Sequence, residues 1–222
     1  MLLAAVVGSG IMGERLSGGN VALALLANTV ATGAALVALI LALARISGAH
    51  LNPAVTMAAA IQGGIPWREV PGYIIAQVIG ALLGVAVAHS MFEHAIFTAS
   101  LHARAGAAQM FSEFIATFGL LCVICGCRAR MDMVPFAVGA YITGAYWFTA
   151  STSFANPAVT IARSMTDTFS GIRPVDVPGF IAAQFSGALL STLLWSWLSP
   201  PFPETPEKEV LSKAGRNTAY VE

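Results

Sequence analysis

The chain alternates long apolar stretches with short polar breaks. A membrane-spanning helix needs about 20 mostly apolar residues. Val21–Ala44, Val70–Phe92, Met133–Ala150 and Val177–Leu198 carry no charged residue, and Ala107–Cys127 carries one, Glu113. These five stretches read as spans. Met1–Gly13 is apolar too but too short to cross alone. Asn52–Ile61 and Asn156–Met165 are about half that length. Both open with Asn-Pro: Asn is a good helix cap, and Pro is well tolerated at the first helical position. Each predicts a half-helix that starts inside the membrane. Such broken helices occur only where protein or a water-filled cavity surrounds them.

The pattern repeats. Asn52-Pro53-Ala54-Val55-Thr56 recurs as Asn156-Pro157-Ala158-Val159-Thr160. Val70-Pro71-Gly72-Tyr73-Ile74 recurs as Val177-Pro178-Gly179-Phe180-Ile181, and the match runs on through Gln77 with Gln184 and Gly80-Ala81-Leu82-Leu83 with Gly187-Ala188-Leu189-Leu190. Each half, about 1–92 and 107–198, reads as two spans, a half-helix and a third span. Three crossings are odd in number, so the second half enters from the opposite side. The expected fold is an all-α membrane protein, a six-span inverted repeat with two re-entrant half-helices pointing at each other. The segment 1–198 reads as one transmembrane domain. The tail 199–222, with Pro200, Pro201, Pro203 and Pro206 and mixed charges, reads as disordered.

Composition agrees. The 222 residues are 57% hydrophobic and 10% charged, with mean hydropathy +0.75. Seven of the charged residues fall after Phe202, which leaves too few to cover a soluble surface. Zero net charge excludes a strongly basic nucleic-acid binder, so no nucleic-acid partner is expected. Three cysteines within six residues exclude a disulfide framework. Continuous apolar runs argue against a β-barrel.

Paired Asn-Pro-Ala motifs in inverted halves, with Ser47-Gly48-Ala49-His50-Leu51 before the first and Ser112-Glu113-Phe114 opening the fourth span, resemble the major intrinsic protein family of aquaporins and glycerol-type channels. The resemblance covers nearly the whole chain to about Leu198. It implies a passive pore, no cofactor, no metal, no catalytic residues, and a homotetramer with one pore per subunit. A helix N-terminus carries about +0.5 charge. Two tips meeting at mid-membrane would repel cations. Asn52 and Asn156 would cap their helices and offer amide hydrogens to the pore. Pro53 and Pro157 would fix the first turns, and Ala54 and Ala158 would let the tips pack. Glu113 would hold the re-entrant loop, a proton relay being the alternative. His50 either lines the inner vestibule or is bonded into a loop. Cys122, Cys125 and Cys127 read as packing, or as a thiol site for a soft metalloid.

The chain departs from the family after the second Asn-Pro-Ala. Most members carry Arg there, and this chain has Val159. Carried over by position, the rest of that constriction falls on Thr32, Gly144 and Ser153, the Gly144 placement resting on a count of twelve back from Asn156. These small residues predict a wide, uncharged filter for polyols or undissociated metalloid hydroxides. Arg163, four residues after Val159, reads either as a displaced cation in the outer vestibule or as a side chain reaching the interface or Asp167. Gly8-Ser9-Gly10-Ile11-Met12-Gly13-Glu14-Arg15, with Val159, resembles a bacterial branch found near arsenic-resistance genes. Aligning Leu2-Leu3 with Leu120-Leu121 puts the first-half partner of Glu113 before Met1. About half of the first span is therefore missing, and the expected start lies roughly 15 to 20 residues upstream. The alternative is a truncated copy.

Six spans put both termini on one side. Cytoplasmic placement gives that side Arg45, Arg68, Arg128, Arg130, Lys208, Lys213 and Arg216, against Arg15, Arg104, Arg163 and Arg173 outside. This follows the positive-inside rule and predicts a multi-pass inner-membrane protein. The competing readings are a secondary transporter, a membrane enzyme and a non-conducting copy. A transporter wants ionisable groups near the midplane, and an enzyme wants a nucleophile–base pair or metal cluster.

Overall fold

The computed structural model describes residues 1–198. The expected tail, 199–222, lies outside them. The described residues form helices and no strand: α1 Leu2–Leu16, α2 Val21–Ser47, α3 Pro53–Ile61, α4 Val70–Met91, α5 Ala107–Gly126, α6 Val134–Phe148, α7 Pro157–Arg163 and α8 Val177–Leu198. Short 3-10 turns, Trp67–Glu69 and Pro174–Asp176, lead into α4 and α8. Local chemistry sets the ends. Asn20 caps α2 through Leu23 N–H at 3.1 Å, and Gly48 ends it in the left-handed region at φ 70. Val-Pro opens α4, α6 and α8, the Pro sitting where no intrahelical donor is needed.

Among the described residues four helices are long and apolar enough to span: α2, α5, and α4 and α8 with their leading turns. The expected span Met133–Ala150 is shorter in the structure. Helix α6 has 15 residues, about 22 Å, against roughly 30 Å of hydrocarbon. It is held back by a kinked turn, Arg128–Met133, in which Arg130 is non-helical (φ −140, ψ 65), and it ends where Thr149 turns extended. Helix α1 runs on to Leu16, past the expected Gly13, and also has 15 residues.

The packing shows the inverted repeat. Helix α1 lies along α2 and α4, as α5 lies along α6 and α8. Half-helix α3 packs on α8 of the other half, and α7 on α4. The halves meet through α2 against α6 and through α3 against α7. Small residues let the backbones close, as bilayer-embedded packing requires. A Cβ on Gly139 would stand 2.9 Å from the Gly33 carbonyl oxygen. One on Gly187 would stand 2.3 Å from that of Phe114. Outward faces are apolar, with Leu26, Val30, Ile79, Leu83, Leu189 and Leu193 all exposed, as expected of helices solvated by lipid. A cavity of about 710 Å³ opens beside the start of α1, against Tyr73, Gln77 and Gly80 of α4.

Candidate functional site

The half-helix tips meet at the centre. Asn52 stands extended before Pro53, and its Oδ1 accepts from Ala54 N–H at 2.9 Å. Asn156 stands likewise before Pro157, and its Oδ1 accepts from Ala158 and Val159 N–H at 3.0 and 3.3 Å. Ala54 and Ala158 are buried between the tips. Each side-chain amide also reaches across. Asn52 Nδ2 donates to the Ala155 carbonyl at 2.7 Å, and Asn156 Nδ2 to the Leu51 carbonyl at 2.8 Å. An amide nitrogen carries two hydrogens, so each Asn spends one on the opposite loop and keeps one.

The loops that supply those carbonyls are strained in register. Ala49 and Leu51 have φ 47 and 51, and their repeat mates Ser153 and Ala155 have φ 50 and 48. Non-glycine residues there cost roughly 1–2 kcal/mol each. The strain recurs in both halves where a loop carbonyl must meet the other half's Asn.

A polar brace holds each tip. Thr56 and Thr160 hydroxyls donate back to the Asn52 and Asn156 carbonyls at 3.1 and 2.9 Å. Gln77 and Gln184 donate to those hydroxyls at 2.9 and 2.8 Å. Glu113 is wholly buried, and its carboxylate accepts from Phe154 N–H and Ala155 N–H, each at 2.8 Å, and from Gln184 at 2.6 Å. The Thr–Gln brace went unread in the sequence, although the repeat had aligned Gln77 with Gln184. His50 lies half-buried on the cavity wall, with Nδ1 3.2 Å from Thr56 Oγ1 and its ring beside Tyr73.

A cavity of about 280 Å³ runs past the tips. Thr32, Leu36 and Ile40 of α2 line it together with Val138, Ile142 and Tyr146 of α6, the helix packed beside α2. Gln62, Cys125 and Met131 line one end, where the Gln62 amide donates to Cys125 Sγ at 3.6 Å. Cys122 lies apart, 3.3 Å from Ser191 Oγ. Among the described residues no three of His, Cys, Asp and Glu converge on a metal position.

Ser153, Phe154, Val159 and Arg163 line the other end. Thr32, Ser153 and Val159 all line this cavity. Gly144 does not. It is exposed and lines neither cavity, while Tyr146 faces the cavity and its hydroxyl donates to Thr32 at 3.3 Å. Ile142 and Tyr146 are one turn apart on the inner face, so Gly144, midway between them, falls on the reverse. The count back from Asn156 ran through an irregular loop and landed two residues off. The cavity wall at this end therefore carries the Tyr146 ring where a small residue was expected.

Arg163 neither reaches the interface nor pairs with Asp167. It is 2% exposed, its guanidinium lies 3.4 Å over the Phe154 ring, and its Nε donates to the Ser170 carbonyl. Asp167 instead accepts from Leu101 N–H at 2.9 Å.

An inverted repeat of apolar helices, with two half-helix tips bonded to each other beside a cavity, is the architecture of a membrane channel. The chain belongs to the major intrinsic protein family, whose pattern matches residues 1–135. It is 53% identical over 202 residues to aquaglyceroporin AqpS of Rhizobium meliloti (strain 1021), covering 90% of this chain and 86% of that one. It is 34% identical over 173 residues to aquaporin NIP1-4 of Oryza sativa subsp. japonica, covering 75% and 63%. The fold is similar to the crystal structure of the aquaglyceroporin from Plasmodium falciparum, with TM-score 0.63 at 20% identity over 87% of this chain and 90% of that one.

Proposed function

We propose that the chain is a passive channel for water and small uncharged solutes. Glycerol-like polyols come first, and undissociated metalloid hydroxides such as arsenite follow. The observation that carries this is the constriction Thr32, Tyr146, Ser153 and Val159, polar on one part of its rim and apolar on the rest, with no fixed charge among the four. Donors line the path. The second hydrogens of Asn52 and Asn156 and the positive ends of α3 and α7 favour solute oxygens and disfavour cations. Val159 takes less room than the arginine usual in the family and leaves space for a carbon or metalloid centre. The similarity to an aquaglyceroporin supports the polyol reading.

A coupled carrier would need a titrating group free to move a proton. The Glu113 carboxylate is occupied by three donors, which favours a fixed structural part and an uncoupled pore. The apolar outer faces support a protein embedded in lipid, and the family resemblance supports a homotetramer. The distribution of basic residues supports an inner-membrane protein with both termini in the cytoplasm.

The test is light scattering of proteoliposomes under a glycerol gradient. Wild type should admit glycerol, and Val159→Arg should slow it by about 10-fold or more, since a guanidinium would fill the gap and order the remaining water. Vesicles that stay impermeable to glycerol with folded protein present would refute the reading.

A further inference from the structure

Arg163 is the one pore-lining residue whose charge the constriction does not explain. It stands four residues after Val159, about 6 Å further along α7. Its side chain is buried, and a buried guanidinium carries five N–H donors that all want acceptors. Only Nε has one, the Ser170 carbonyl. Nη1 is buried without a partner, and no protein acceptor meets Nη2. One face of the group is covered by Phe154, itself edge-on against Phe180. Among the described residues no carboxylate pairs with it: Asp167 holds Leu101 N–H, and Glu113 is saturated by Phe154, Ala155 and Gln184. Arg104, the other guanidinium beside Phe154, is spent on the Gly171 and Ser151 carbonyls at 2.8 and 3.1 Å.

What remains beside the free Nη groups is the cavity, and acceptors there come from its contents. We propose that Arg163 is the specificity-determining donor of this pore, binding the oxygens of polyhydroxylated neutral solutes one turn outward of Val159. The inference rests on the channel reading above. Phe154 and Val159 supply an apolar flank for a carbon skeleton, while Arg163 and Ser153, whose Oγ is also unpartnered, supply polar contacts. A solute with fewer hydroxyls leaves the guanidinium unsatisfied. A site built to bond a hydroxyl discriminates strongly against an analogue that lacks it.

The experiment compares glycerol with 1,2-propanediol in proteoliposomes, after subtracting protein-free vesicles. Wild type should favour glycerol. Arg163→Leu should lower the glycerol-to-propanediol ratio at least about fivefold, and Arg163→Lys, which keeps a charged donor, should hold it within about twofold. A ratio unchanged in folded Arg163→Leu overturns the proposal while leaving the channel standing. Failure of wild type to pass either solute overturns both. Should Arg163→Leu not fold, wild type answers the question. Methylglyoxal should modify Arg163, read by mass spectrometry, and glycerol should slow that reaction while leaving exposed Arg45 unaffected. An Arg163 that is unreactive, or unprotected by glycerol, overturns the proposal equally.

Discussion

Glu113 shows what one side chain contributes here. Its two oxygens receive two backbone N–H groups and one amide, all at 2.8 Å or less, with no water to replace them. Hydrogen bonds to a charged group are worth about 1.5–3 kcal/mol each, and a Gln at 113 would turn an N–H against an N–H. Glu113→Gln should therefore lower stability by about 3 kcal/mol or more, read as a lower thermal midpoint in detergent. An unchanged midpoint would mean the loop is held by other bonds. The residue was legible because an acid in an apolar span demands a reason. Tyr146 was not legible. Its side chain reaches the cavity by helix phase, and phase is lost when residues are counted through the irregular turn and loop from Thr149 to Ala155. Arg163 stood open for a related reason. Its spacing to Val159 and to Asp167 is the same, and only packing over Phe154 decides between them.

At the scale of elements, Asn-Pro-Ala made both half-helices readable, because cap, first-turn Pro and small tip residue are all local signals. The strained residues Ala49, Leu51, Ser153 and Ala155 left no such trace, since nothing in their side chains favours the left-handed region. Repeat mates also diverge once their neighbours differ. Gly187 is pressed on the Phe114 carbonyl, whereas its mate Gly80 faces open space. Gly187→Ala should force α5 and α8 apart at a cost of about 2 kcal/mol. Gly80→Ala should be neutral, or stabilising by about 0.5–1 kcal/mol through lost chain entropy. Thermal midpoints of the two variants side by side check this. Equal loss in both would mean that the helices, and not the contacts, set the cost.

For the whole molecule, the inverted symmetry was legible because apolar runs and repeated motifs survive without coordinates. The lengths of α1 and α6 were less so, since hydropathy does not register a kink such as that at Arg130. The apolar exterior is what lipid solvates, and the proposed tetramer is tested by mass. The purified protein should have about four times the single-chain mass once bound detergent is subtracted, as the tetramer proposal requires. A C-terminal tag should stay protected in intact spheroplasts and become reactive on lysis. A monomer, or a tag reactive from outside, would overturn those assignments.

The crossed amide bonds have a consequence for how the protein comes into being. Asn52 waits for the Ala155 carbonyl, and Asn156 must reach back to Leu51. The chain leaves the ribosome at about 5–20 residues per second, so the first half stands in the bilayer for several seconds before its counterpart exists. During that time its half-helix has no opposite tip and no conduit beside it. Until the second half arrives, the first Asn amide has no carbonyl to meet and half of the cavity wall is missing, so the conduit is assembled only with the last helices.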